Sequence, residues 1–301
     1  MQTGTFPSFD NYRIFFREWA PGSSVNSIVL IVHGMVEHSL RYSEFASFMA
    51  DRGSHVFAFD LRGFGITGEK TNTLGIMDRD KVLRDIEFIA EQLKKNNPRK
   101  PLIIAGHSMG SLLVRDIIMN SGLSIDGALI SGTPSVYSVF EIAGLALAGL
   151  ERIRIGDRKE SKILWKVNFG KYNSYFENPA TFYDWLSSDS SEVRKYADDP
   201  LCGFAPCSKF YYDMIKSVIK LSRVKLSPLN RDAELFFIGG RQDPVSDFGR
   251  GPEIISSRFR EAGYSNVKLK IYENCRHEPF HETIRGSVFR DIHRWLKSIK
   301  Q

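Results

Sequence analysis

Leu102-Ile103-Ile104-Ala105-Gly106-His107-Ser108-Met109-Gly110-Ser111-Leu112-Leu113-Val114 decides the fold of this chain. The apolar run Leu102–Ala105 has the length and bulk of a buried strand. The residues after Gly110, through Ile117-Ile118-Met119, repeat with helical spacing. Between them stands G-x-S-x-G, with Ser108 at the apex of a strand-turn-helix. Gly106 and Gly110 fit that geometry, because a sharp turn around the serine leaves no room for a Cβ on either side. The stretch therefore predicts a nucleophile elbow, a serine held exposed at the end of a central strand.

Outward from the elbow, strand-like and helix-period segments alternate, the pattern of a mostly parallel sheet covered on both faces. Tyr12–Trp19 reads as an antiparallel entry strand. Ser27–His33, His55–Asp60, Pro101–Gly106 and Asp126–Ser131 read as core strands, with helices predicted at Tyr42–Asp51, Asp78–Asn96 and Ser108–Ser121. After Gly132-Thr133-Pro134 the alternation stops, and the text becomes helix-like and rich in aromatics, including Trp165, Phe169, Tyr172, Tyr175, Phe176, Phe182, Tyr183 and Trp185. It resumes with a strand at Ala233–Gly239, a helix near Pro252–Ala262, a strand at Val267–Tyr272 and a last amphipathic helix from about Glu282 to Ser298. One core, residues 1–133 and 230–301, is thus interrupted by an insertion at 134–229.

A serine hydroxyl needs a histidine base, and the base needs a carboxylate to hold its tautomer. For a strand-turn-helix serine the expected chain order is Ser, acid, His. Asp243 follows the strand Leu235–Ile238 through Gly239-Gly240-Arg241-Gln242, and His277 follows the last strand through Glu273-Asn274-Cys275-Arg276. Adjacent parallel strands deliver such loops to one edge of the sheet. Of the seven histidines, His33, His38, His55 and His107 come before or within the elbow, and His293 lies inside the last helix. His277 is the candidate base and His281, at the expected start of that helix, its rival. Asp247 is the rival acid. His33-Gly34-Met35 ends a strand and can offer the Met35 backbone N–H to a developing oxyanion, with the Met109 N–H as the second donor.

His277-Glu278-Pro279-Phe280-His281 also spells H-E-x-x-H, but zinc binding by that motif requires one unbroken helical turn, which Pro279 opposes. Only three cysteines occur, with no C-x-x-C pair, which argues against a disulfide framework or zinc site. The chemistry expected of Ser108, Asp243 and His277 needs no cofactor and no metal. A formal charge of +6, without aromatic interleaving of the basic residues, gives no nucleic-acid surface. One local excess stands out: Arg152, Arg154, Arg158, Lys159, Lys162, Lys166 and Lys171 against Asp157 and Glu160. It reads as a solvated helix face or as a site of attraction to anionic lipid or substrate. The polar start of the chain has no signal-peptide pattern, and the longest apolar run, Val136–Leu150, contains Glu141 and is too short to span a bilayer. The expectation is a soluble, cytoplasmic protein, peripheral to membranes where its substrate is a lipid.

With these residues in place, the chain resembles the α/β-hydrolase superfamily, and within it the monoacylglycerol lipase and lysophospholipase-like serine hydrolases, also called serine aminopeptidase-like. The matching text is His33-Gly34-Met35-Val36-Glu37-His38-Ser39, Asp60-Leu61-Arg62-Gly63-Phe64-Gly65, the elbow, Asp184-Trp185-Leu186-Ser187-Ser188-Asp189 with Asp199-Pro200-Leu201-Cys202, Gly240-Arg241-Gln242-Asp243-Pro244-Val245, and His277-Glu278. Phe64 stands where such proteins commonly have histidine, Thr67 where serine is usual, and Ser111 where a third glycine often follows. The resemblance implies an eight-stranded, mostly parallel sheet flanked by helices, a helical cap at 134–229, and hydrolysis of small-molecule acyl esters, of monoacylglycerol or lysophospholipid type, through Ser108, Asp243 and His277 with Met35 and Met109 as oxyanion donors. A small-ester carboxylesterase, a proline-type aminopeptidase or amidase, and a ligand-binding protein without turnover are the alternatives.

Overall fold

The structure is a computed structural model and describes residues 1–22, 24–134 and 139–299. Eight strands run in chain order: β1 Gln2–Pro7, β2 Arg13–Trp19, β3 Ser27–Val32, β4 Ser54–Phe59, β5 Leu102–His107, β6 Gly127–Ser131, β7 Glu234–Gly240 and β8 Val267–Tyr272. They form one sheet in the order β1-β2-β4-β3-β5-β6-β7-β8, with β1 and β2 antiparallel to their neighbours and the rest parallel. The sheet carries the predicted core strands to within two residues at each end.

The central strands are apolar throughout because both of their faces are covered. In β3, Ile28, Leu30 and Val32 join one core with Ile86 and Ile89 of helix α3 (Arg79–Asn96) and Leu112 and Leu113 of α4 (Met109–Asn120). Val29 and Ile31 face the other way, against Phe45 and Met49 of α1 (Ser43–Ala50) and Phe289 and Ile292 of α10 (Arg285–Ser298). The edge strand β8 instead alternates, with Lys268 and Lys270 turned outward, which discourages further strand pairing.

Two elements go beyond the sequence reading. β1 falls in the stretch read as a polar terminus; its one large apolar side chain, Phe6, packs on Phe16 and Phe57. The six-residue α2, Gly65–Lys70, follows β4 where no helix is expected, and its N-terminal Ile66 N–H is taken by the buried Asp60 carboxylate. The last helix begins at Arg285, later than expected, after a 3₁₀ turn at Pro279–His281.

Between β6 and β7 the chain leaves the sheet as α5 Val139–Ile155, α6 Lys162–Phe169, α7 Ser190–Asp198 and α8 Ser208–Lys220. The entry to this insertion, residues 135–138, lies outside the described residues, as does the start of the apolar run read from Val136. α9, Arg250–Glu261, then packs beside β7 and β8. β3, β5, β7 and β8 all end on one edge of the sheet, beside the point where strand order reverses around β3, and ligands of open α/β sheets lodge in the crevice there. No helix among the described residues is long and apolar enough to cross a membrane.

Candidate active site

The turn between β5 and α4 puts Ser108 at φ 51° and ψ −116°, a conformation that L-residues avoid. Its surroundings over-determine it: the Ser108 N–H donates to the Ser131 carbonyl at 2.9 Å, and the Ser108 carbonyl accepts from Ser111 N–H and Oγ at 3.0 and 2.5 Å. Gly110 lies so close to β3 that a Cβ there would collide with the Val32 carbonyl oxygen, and one on Gly106 would collide with Gly110. The third glycine usual in the resembling proteins is replaced here by Ser111, whose hydroxyl takes part in holding the turn.

The loops after β7 and β8 converge on this serine. His277 Nε2 lies 2.9 Å from Ser108 Oγ, and His277 Nδ1 lies 3.0 Å from Asp243 Oδ1. The Val245 N–H donates to the same carboxylate oxygen at 2.9 Å. Asp243 and His277 are buried, and the imidazole sits between the rings of Trp185 and His107, at centroid distances of 5.3 and 4.8 Å. Burial opposes the charged imidazolium, but the Asp243 carboxylate, reinforced by Glu278 and Glu37, outweighs it and raises the His277 pKa above its ordinary value. Burial, together with His277, pulls His107 down to about 4, so that ring stays neutral beneath the base.

Neither rival reaches the serine. Asp247 is half exposed and pairs with Arg250 at 3.7 Å. His281 points its Nε2 at the Arg41 carbonyl, 2.8 Å away. Pro279 opens a 3₁₀ turn, so His277 and His281 serve different partners and the H-E-x-x-H spelling builds no zinc-binding helical turn.

Gly34 and Met35 stand on the other side of Ser108, with Gly34 packed against the Ser108 side chain. The Gly34 N–H is committed to Glu37 Oε1 at 2.5 Å, whereas the Met35 N–H has no acceptor among the described residues. Met109 is the first residue of α4, where a backbone N–H has no intrahelical partner. Together these two amides can receive negative charge developing beside the serine. Phe169, Trp185, Leu186 and Tyr196 from the insertion roof the site, leaving a cavity of about 30 Å³, room for a water molecule or two.

A buried charge cluster behind the site was not read from sequence, although Glu37 and Glu278 stand inside the matching motifs. Arg41 lies between them, 2.6 Å from Glu37 Oε2 and 2.6 and 2.7 Å from the two Glu278 oxygens. Burial raises both carboxyl pKa values, yet the guanidinium more than offsets it and keeps both low. The cluster ties the Gly34–Met35 loop to the loop that carries His277. Its only local trace in the sequence is the i, i+4 spacing of Glu37 and Arg41; Glu278 lies far away in the chain.

A sequence profile of the family described as serine aminopeptidase S33 matches residues 23–284. The chain is 26% identical over 301 residues to a monoglyceride lipase homolog of Monkeypox virus, covering 98% of each. It is 24% identical over 298 residues to human monoglyceride lipase, covering 95% of this chain and 88% of that one. Among solved structures, a thermostable carboxyl esterase from Bacillus coagulans in complex with glycerol superposes with a TM-score of 0.89 at 25% identity, over 99% of this chain and 98% of that one.

Proposed function

Because the chain belongs to the serine aminopeptidase S33 family and is a serine hydrolase of carboxylic esters with the α/β-hydrolase fold, we propose that it cleaves monoacylglycerol-type acyl esters at Ser108. Ser108 Oγ adds to the ester carbonyl carbon as its proton passes to His277 Nε2. The oxyanion is held by the Met35 and Met109 N–H groups. Collapse expels the alcohol, which takes the proton from His277 and leaves an acyl group on Ser108. Water, deprotonated by the same His277, then adds to that acyl carbon and releases the fatty acid and the serine. Asp243 holds Nδ1–H and stabilises the imidazolium. The observation that carries this reading is the unbroken hydrogen-bonded line from Asp243 through His277 to Ser108.

We take residues 134–229 as the cap over this site. Its roof is apolar and aromatic, which suits an acyl chain, and a cavity of about 30 Å³ admits such a chain only if Phe169 and Trp185 give way. Within the cap, Ile153 of α5 is 85% exposed, and Ile163 and Val167 of α6 are 49% and 56% exposed, with the exposed Lys162 and Lys166 on that same helix. Arg152 and Arg154 are already paired with Asp157 and Glu151. Exposed apolar side chains rimmed by lysines fit the surface of a lipid aggregate carrying negative charge.

The test is a chain-length series. kcat/KM for saturated acyl esters should climb by up to roughly fourfold per methylene, from about 0.8 kcal/mol of transfer free energy each, until the chain reaches the end of the pocket. Monoacylglycerols and lysophospholipids of matched acyl length separate the head groups. A phospholipid preference that fades with added salt would assign the exposed lysines to head-group attraction, since such attraction is screened beyond about 10 Å at 0.1 M salt. The B. coagulans carboxyl esterase keeps a second reading open: a profile peaking at acetate or butyrate would make this chain a small-ester carboxylesterase.

A further inference from the structure

Val36 follows the oxyanion donor Met35 and holds φ at +50°. For a β-branched residue this is an outlier, since its Cβ crowds the following carbonyl. The strain lies one residue beyond the Met35 N–H, in the same short turn. From inside the loop Glu37 holds the Gly34 N–H, and two groups of the insertion hold the Val36 end. The Val36 carbonyl accepts from Tyr196 Oη at 3.0 Å and from the Gly203 N–H at 3.0 Å. Tyr196 is buried, and its ring covers the Arg41 guanidinium, 4.8 Å from centroid to carbon, so the hydroxyl has a fixed seat. The Gly203 turn is held in its turn by Tyr183 Oη, which donates to the Gly203 carbonyl at 3.0 Å.

We propose that Tyr196 and the Gly203 turn latch the Met35 loop in a conformation it would otherwise leave, making Tyr196 a positioning residue for the oxyanion donor. The inference rests on the ester-hydrolase reading and on Met35 as a donor. Its consequence is that the insertion governs chemistry as well as access: when the segment carrying Tyr196 and Gly203 draws away, Val36 relaxes and the Met35 N–H turns from the site. The reacting atoms are untouched, so the cost falls on kcat and leaves KM in place.

The experiment is a double-mutant cycle on kcat and KM with Tyr196→Phe and Val36→Gly. Tyr196→Phe removes the hydroxyl and keeps the ring on Arg41. On the native Val36 background it should lower kcat about tenfold, about 1.4 kcal/mol, with KM unchanged. On the Val36→Gly background, where the left-handed conformation costs nothing, the same substitution should lower kcat less than about twofold. Val36→Asn, the next residue most tolerant of that region, carries the same comparison if the glycine variant does not fold. Equal losses on both backgrounds, or a loss expressed in KM, overturn the latch. Full ester turnover by a Ser108→Ala variant would instead overturn the hydrolase reading on which it rests.

Discussion

Ser108→Ala is expected to lower kcat for any ester by on the order of 10⁶, because nucleophile, base and acid act as one unit and loss of the nucleophile removes what the others serve. The substitution removes a single oxygen at a backbone position already strained at φ 51°, so melting temperature and circular dichroism should match the native protein. Fluorophosphonate labelling should vanish with turnover, since the reagent reports the same activated hydroxyl. His277→Ala should be nearly as severe: without Nε2 at 2.9 Å the hydroxyl has no acceptor for its proton. Undiminished labelling of the Ser108→Ala protein would place the nucleophile elsewhere.

Asp243→Asn should cost on the order of 10⁴ in kcat, the size of loss that follows when an amide presents the imidazole in the wrong tautomer. The carboxylate is fully buried and its Oδ1 accepts from both His277 Nδ1 and the Val245 N–H. Its charge also supports the imidazolium that forms as Ser108 attacks. Asp247→Asn is the matched control. That side chain is half exposed beside Arg250, and its loss should change kcat by less than about threefold, as for surface substitutions generally. Steady-state kinetics of the two variants side by side decide the matter, and a reversed order would move the acid one turn along the loop.

Met35, Ser108 and Asp243 were legible in the sequence because each follows a central strand that announces itself as an apolar run, and His277 because it follows β8, an edge strand readable from its alternation of apolar residues and lysines. Gly106 and Gly110 were legible because a close backbone approach admits no other residue. The rest depends on contacts between segments remote in the chain. Arg41 meets Glu278 across 237 residues, and Tyr196 meets the Val36 carbonyl across 160; neither pairing leaves a periodicity or spacing to read. β1 was missed because a six-residue edge strand with four exposed positions is held by a hairpin and one phenylalanine, which composition cannot tell from a polar tail. α2 was missed for a related reason: in a six-residue helix around Gly68, a buried carboxylate at Asp60 substitutes for helical propensity. The start of the last helix was misplaced because Pro279 opens a separate 3₁₀ turn before it.

The most direct measurement of the central claim is rapid mixing of the native enzyme with a p-nitrophenyl acyl ester, followed by acid quench and peptide mass spectrometry. A stoichiometric burst of p-nitrophenol, with the acyl mass on the peptide containing Ser108, is the predicted result. Turnover with the acyl group on another residue, or with no acyl-enzyme and a Ser108→Ala variant that still hydrolyses the ester, would contradict it.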